Sequence, residues 1–131
     1  MMAPGMMAGA PTRHIAAEQL PELRAVLGLT CHKAALLFHK ELPWASATFT
    51  GTRHTIALEF RGVEAIGYAE DFISHFPVHE FSLPGKICAD WAIVQVDRLC
   101  RREPVSSVAV PPEPVWTVTV DMLVLELHDG R

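Results

Sequence analysis

Several patterns that mark common functions are missing from this sequence. Its 131 residues carry a net charge of −4, and the eleven Lys and Arg residues gather only at Arg98, Arg101 and Arg102. Such a chain offers no basic stripe for phosphates, so nucleic acid is not an expected partner. No apolar run approaches the roughly 20 residues that span a bilayer, and the first residues lack the basic and apolar regions of a signal peptide. We therefore expect a cytoplasmic protein without a membrane partner.

Cysteine and asparagine are also scarce. The three cysteines, Cys31, Cys88 and Cys100, cannot all pair internally, and none lies in a C-x-x-C spacing, which favours a reducing compartment. Asparagine is absent and arginine outnumbers lysine, a bias that points to a GC-rich coding sequence and hence to a bacterial source.

The common catalytic and nucleotide-binding motifs are absent as well. The sequence contains no G-x-G-x-x-G, no phosphate-loop pattern, no G-x-S-x-G and no H-E-x-x-H. Each of these motifs exists because backbone amides or paired ligands must converge at a fixed spacing. Their absence argues against nucleotide-binding, serine-hydrolase and zincin functions, and we expect no cofactor.

The residues that are present fit one compact domain. Apolar residues make up 50% and charged residues 20% of the chain, which are ordinary globular proportions. Residues 1 to 13, rich in Met, Gly, Ala and Pro, show no periodicity and are predicted to form a flexible tail. Residues 14 to 131 are predicted to form a single α+β domain.

Apolar spacing predicts the element order α-β-α-β-β. A helical N-terminal segment covers residues 16 to 42, with its best run in CHKAALLFHKEL, where apolar residues recur at three-to-four spacing. Alternation within residues 46 to 60 predicts a strand, in which Gly51 would form a bulge or turn. The main helix is predicted from about Gly62 to Ser74 and ends before Pro77, which has no amide proton for the helix.

Two long β-rich segments, KICADWAIVQVDRLC and VWTVTVDMLVLEL, follow the main helix and predict an antiparallel pair. The predicted fold is a mostly antiparallel sheet of three or four strands packed on one main helix. In the last strand, apolar residues alternate from Trp116 to Val124 on one face, while Leu123, Leu125 and Leu127 make the other face apolar. One helix covers only one face of a sheet, so the second face must meet either the N-terminal segment or another subunit. A homodimer or higher homo-oligomer is the economical interpretation.

The segment HFPVHEFSLPG, His75 to Gly85, crowds polar residues between the main helix and the next strand. Pro77 is predicted to end the helix, Phe76 and Phe81 to anchor the crossover to the core, and Pro84-Gly85 to turn the chain into the strand.

Histidine spacing does not predict a metal site. His75 and His79 are four residues apart with Pro77 between them, and His32 and His39 would lie about two helical turns apart. We expect surface or hydrogen-bonded histidines and no metal ion, because a metal-binding function would explain only the histidine count.

The order of His75, Phe76, the Leu-Pro-Gly at 83 to 85 and Asp90 resembles the active-site segment of the hot-dog-fold β-hydroxyacyl-carrier-protein dehydratases. In that family, a His-Phe-x-Gly-x-Pro-x-x-Pro-Gly stretch supplies the catalytic histidine, and an acid five residues after the last glycine is its partner. The resemblance implies that His75 removes a proton α to a thioester and that Asp90 assists the loss of hydroxide.

We favour a non-catalytic, homo-oligomeric α+β module that binds a small molecule or a protein partner, since this function explains the β pattern and the missing motifs. The alternative is a dehydratase-like or thioester-processing enzyme that uses His75 and Asp90. A ligand is expected in the groove between the helix end and the strand start, where His79, Glu80 and Tyr68 are the candidate binding residues.

Overall fold

The computed structural model describes residues 20 to 101 and 112 to 127. Within these residues the chain forms two α-helices, four β-strands and one 3₁₀ turn. The helices are α1 (Pro21–Leu29) and α2 (Val63–His75), and the 3₁₀ turn Phe76–Val78 follows α2. The strands are β1 (Ala35–Ala45), β2 (Thr50–Arg61), β3 (Lys86–Arg101) and β4 (Glu113–Glu126). The predicted tail, residues 1 to 13, lies outside the described residues, and the single domain from 14 to 131 stays a prediction.

The four strands form one sheet in the order β1-β2-β4-β3, and every neighbouring pair is antiparallel. The α+β class and the antiparallel sheet are thereby confirmed, and helix α1 confirms the helical N-terminal segment over residues 21 to 29. The pairing also fixes a register that the sequence left open, since Met122 of β4 lies opposite His54 on β2 and Trp91 on β3. No helix among the described residues is long and apolar enough to cross a membrane.

The helix predicted over CHKAALLFHKEL is wrong, because this segment contains the first eight residues of strand β1. Helix α1 ends at Leu29, and Cys31 and His32 adopt left-handed backbone angles, with φ of 55° and 59°. A helix of L-residues cannot continue through such angles. The chain then pairs with β2, from Ala35 opposite Glu59 onward. Pairing with a strand distant in sequence outweighs the local spacing, and the element order becomes α-β-β-α-β-β.

Both helices cover the same face of the sheet. Leu23 of α1 and Phe72 of α2 are buried in one cluster with alternate residues of β2 and β4, including the cross-strand pair Leu58 and Val118. The residues that alternate with these along each strand point to the other face of the sheet, away from the helices. We call this second surface the open face, because no described element packs on it. The N-terminal helix therefore does not cover the second face, which was one of the two alternatives left by the sequence.

The crossover from α2 to β3 is held by aromatic residues, as predicted. The Phe76 ring is fully buried and lies 5.2 Å from the ring of Phe72 and 5.6 Å from that of Phe81. Trp91 Nε1 donates a hydrogen bond of 3.0 Å to the Phe76 carbonyl, which ties β3 to the end of the helix. The turn at Pro84-Gly85 is also confirmed: Gly85 has a φ of 69°, and the pattern of Pro followed by a left-handed Gly is typical of a type II turn.

Gly51 does not form the predicted bulge or turn. It pairs regularly with Trp44 on one side and Leu125 on the other. A Cβ atom at this position would collide with the Val124 carbonyl oxygen and lie 2.9 Å from the Leu125 Cα. The glycine is therefore needed for a close backbone approach between β2 and β4, which is another common role of glycine in strands.

Candidate functional site

The structure does not bring His75 and Asp90 together. His75 occupies the last turn of α2, on the helix side of the sheet, and its Nδ1 donates a hydrogen bond of 2.7 Å to the Asp71 carbonyl. Asp90 lies on β3 opposite Leu123. Leu123 alternates with the buried residues Met122 and Val124 of β4, so both paired residues lie on the open face. The two predicted catalytic residues thus lie on opposite sides of the sheet, and the resemblance gains no geometric support.

The predicted ligand-binding residues are also dispersed. The His79 ring contacts that of Phe81 at 4.6 Å, and Tyr68 on α2 lies under the Lys33 ammonium at 5.5 Å. Glu80 is exposed in the crossover. A groove of about 390 Å³ lies near the start of β3, but α1 and the loop residues His32 and Ser82 to Pro84 line it. None of the three predicted binding residues lines this groove.

A different set of polar side chains meets where α1 packs against the sheet. We call this set the polar cluster; it comprises Glu22, His39, Glu41, His54 and Lys86. Helix α1 supplies the glutamate in its first turn, β1 and β2 supply the next three residues, and the lysine begins β3. Sheet register explains the arrangement, because His54 is paired directly with Glu41 and His39 lies two residues before that glutamate on the same strand face.

Glu22 is the most buried member, with its side chain only 2% exposed. Its Oε2 accepts a hydrogen bond of 2.7 Å from Lys86 Nζ, while its Oε1 is buried and has no hydrogen-bond partner among the described residues. Burial alone would raise the pKa of this carboxyl, but the Lys86 ammonium and the nearby groups outweigh it and hold the pKa below its usual value. The same contact raises the pKa of Lys86. Both groups are therefore charged at neutral pH.

The two histidines of the cluster face each other. His39 Nε2 lies 2.9 Å from His54 Nδ1, and the two rings are nearly parallel, with 7° between their planes. Burial lowers the pKa of both imidazoles, although Glu22 and Glu41 partly oppose this effect. At neutral pH the pair is consequently uncharged, and one ring nitrogen donates to the other.

Three ligand atoms from His39, Glu41 and His54 lie within 4.8 Å of one another, which is the spacing of a metal site. Local sequence spacing does not predict this group, because the apolar residues around His39 also fit a helix. On a strand, the H-x-E pattern at 39 to 41 places both side chains on one face, and this was the signal available in the sequence. The position of His54 depends on the register of β2, which local spacing does not determine.

The open face is a second candidate surface, and its composition changes along the strands. At one end, a row across the sheet contains Trp44, Gly51, Leu125 and Ile87. The next row contains Leu42, Arg53, Leu123 and Asp90. The following row contains Lys40, Thr55, Asp121 and Ala92, and there the Thr55 hydroxyl donates a hydrogen bond of 2.8 Å to Asp121. The open face thus combines an apolar end with a charged and hydroxyl-rich middle.

Comparisons with known proteins assign no family. No protein-family model matches the chain, and no curated protein matches it. Among solved structures, the chain is similar to the type 4 fimbrial biogenesis protein PilO from Pseudomonas aeruginosa, with 14% identity, 83% of this chain and 76% of that chain covered, and a TM-score of 0.32. A likeness at this score carries no argument about function.

Proposed function

We propose that this domain is a non-catalytic association module that forms a homodimer through the open face of its sheet. The observation that carries the proposal is the division of charge on that face. Register places three of its basic residues on β1 and β2, namely Lys40, Arg53 and Arg61, while Arg101 is paired in register with Glu113 at the end of β3. Its acidic residues lie mainly on β3 and β4, namely Asp90, Asp97, Glu113 and Asp121. Glu59 on β2 is the exception, and its Oε1 pairs with Arg61 Nη2 at 3.2 Å.

This division of charge favours a second copy of the same chain as the occupant. A two-fold axis parallel to the strands would stack two open faces and reverse the strand order, so that β1 lies over β3 of the other copy and β2 lies over its β4. The basic half of each face would then meet the acidic half of its partner. A two-fold interface uses the same patch on both subunits, which must be self-complementary, and this face meets that requirement.

The size and apolar content of the open face also suit a dimer. Four strands about 4.8 Å apart and some eleven residues long cover roughly 700 Å², close to the approximately 800 Å² per partner of a standard interface. Leu42 and Ile87 at the apolar end are 48% and 47% exposed. Stacking would remove these side chains from water, while the hydroxyl-rich middle is compatible with the mixed polarity of many interfaces.

Sedimentation equilibrium over a wide concentration range tests the proposal. We expect the wild type to dimerise and Leu42→Glu to shift it to monomers, since the new carboxylate would be buried in the interface. Val63→Glu is the matched control, because Val63 is 81% exposed on helix α2, away from the open face. A monomeric wild type, or a Leu42→Glu variant that dimerises like the control, would overturn the proposal.

Charge reversal tests the two-fold arrangement more specifically. Arg53→Asp places an acid in the basic half of the face and should weaken the dimer. Adding Asp90→Arg to the same chain exchanges the two charges of this row, so that an acid at position 53 of one copy again lies near a base at position 90 of the other. We expect this double variant to recover dimerisation, and a double variant that is weaker than the single variant would contradict the stacking.

A further inference from the structure

The donor atoms of the polar cluster match the ligands of a transition-metal ion. Two imidazole nitrogens and a carboxylate are the three-ligand set of zinc sites with an open position and of sites that combine two histidines with one carboxylate. His39 Nε2 lies 2.9 Å from His54 Nδ1 and 4.0 Å from Glu41 Oε2. Two nitrogens on a tetrahedral zinc ion are roughly 3.3 Å apart, so binding requires the two nitrogens to separate by a few tenths of an ångström and both rings to turn towards the ion.

The surroundings of His54 have the form that supports such ligands. His54 Nε2 faces Glu22 Oε2 at 3.9 Å, and Lys86 in turn holds that carboxylate. A histidine that binds metal through one nitrogen commonly directs its other N–H toward a carboxylate, which fixes the tautomer and the ring orientation. A proton on Nε2 leaves the Nδ1 lone pair of His54 directed at His39. With this tautomer, His39 Nε2–H donates the hydrogen bond to His54 Nδ1 in the metal-free protein, and metal binding through His39 Nε2 requires the His39 proton to be on Nδ1 of that ring.

Charge and access at the cluster also suit a divalent cation. With neutral imidazoles, Glu22, Glu41 and Lys86 give the cluster a formal charge of −1. The side chain of His54 is 3% exposed, that of His39 14% and that of Glu41 49%, so exposure increases from the interior toward the carboxylate. An ion could enter from solvent at the edge strand β1 and reach the buried imidazole without opening the core.

We infer that His39, Glu41 and His54 form a binding site for a divalent late transition-metal ion, with Zn²⁺ as the expected occupant. Glu22 is a positioning residue that orients His54, and Lys86 holds Glu22. Three protein ligands leave one position of a tetrahedral ion for water or another small ligand. The site lies on the helix-covered face and does not depend on dimerisation through the open face.

Calorimetric titration of untagged protein with Zn²⁺ tests the inference, with Mg²⁺ as the ion that prefers oxygen ligands. We expect one Zn²⁺ per chain and no comparable binding of Mg²⁺. Glu41→Gln should weaken Zn²⁺ binding by at least about tenfold, the lower end of what even an outer-shell partner contributes. Because Glu41 is exposed, this variant should keep the wild-type melting temperature in a chelator. His39→Gln should weaken binding to a similar or greater degree.

Matched controls separate this site from adventitious binding at other histidines and acids. His75→Gln and Glu70→Gln change exposed residues on α2 and should leave Zn²⁺ affinity unchanged. The inference is overturned if the wild type binds no stoichiometric Zn²⁺. It is equally overturned if Glu41→Gln and His39→Gln, both folded, bind Zn²⁺ as tightly as the controls.

Discussion

Replacement of Lys86 by methionine should reveal how strongly the polar cluster depends on its one ammonium group. The substitution keeps an aliphatic side chain but leaves the Glu22 carboxylate, 2% exposed, without the 2.7 Å hydrogen bond from Nζ. Removing one partner of a buried ion pair costs roughly 3–5 kcal/mol. The Lys86 side chain is 27% exposed, so we expect the lower end of this range, about 3 kcal/mol at pH 7. That is a large share of the 5–15 kcal/mol that stabilises a typical domain.

Protonation of Glu22 limits the loss of stability in Lys86→Met and makes it depend on pH. The variant can avoid a buried charge by protonating Glu22, which costs about 4 kcal/mol at pH 7 but only about 1 kcal/mol at pH 5 for a carboxyl of ordinary pKa. In the wild type the pKa of Glu22 is held below its usual value, so that carboxylate stays charged at pH 5. The difference in unfolding free energy between wild type and Lys86→Met should therefore shrink as the pH falls from 7 to 5.

Urea unfolding followed by tryptophan fluorescence measures this difference. Lys33→Met is the matched control, since it removes an exposed ammonium over the Tyr68 ring and should cost less than about 1 kcal/mol. The double variant Glu22→Gln/Lys86→Met removes both charges and should recover at least half of the loss. The reasoning is refuted if Lys86→Met is no less stable than Lys33→Met at pH 7, or if its deficit grows at pH 5.

Two further predictions concern glycine and cysteine. Gly51→Ala should destabilise the domain by about 1–3 kcal/mol, because the new Cβ meets the β4 backbone. The Cβ of Gly67→Ala on α2 meets no atom within 4 Å, so this variant should stabilise the domain by about 0.5–1 kcal/mol. Equal effects of the two substitutions in thermal unfolding would contradict this. Burial raises the pKa of the Cys88 thiol to about 11, so at pH 8 roughly one molecule in a thousand carries its thiolate. Mass spectrometry of iodoacetamide-treated folded protein should show Cys88 reacting far more slowly than exposed Cys31, and comparable rates would be the contrary result.

The parts of the fold that could be predicted from the sequence are those with strong local signals. Helix α2 has an apolar stripe and a proline that stops it, and β3 and β4 are long and rich in β-branched residues. Strand β1 carried a misleading signal, because the spacing of its apolar residues also fits a helix. Its identity is decided by pairing with β2 and by the left-handed residues Cys31 and His32, which local spacing does not reveal.

The polar cluster could not be predicted from local sequence spacing, because most of its residues are distant in the sequence. Glu22 and Lys86, which form its closest ion pair, are 64 residues apart in the sequence. His39 and His54 are 15 residues apart and meet only through the register of β1 on β2. Local sequence spacing instead predicted a site near the segment from His75 to Gly85, where polar residues are crowded. There the polar residues are close in sequence, but the fold disperses them, and the buried phenylalanines carry the structural role.

Alternation along β1 and β2 predicts that the two proposed surfaces can be disrupted separately. Glu41 faces the polar cluster, whereas the next residue, Leu42, faces the open face. Leu42→Glu should therefore bind Zn²⁺ with wild-type affinity while failing to dimerise, and Glu41→Gln should dimerise normally while binding Zn²⁺ poorly. Calorimetry and sedimentation on both variants measure all four outcomes. If either substitution disturbed both properties in a folded protein, then ion binding and association would be coupled through the sheet, and assigning them to opposite faces would be wrong.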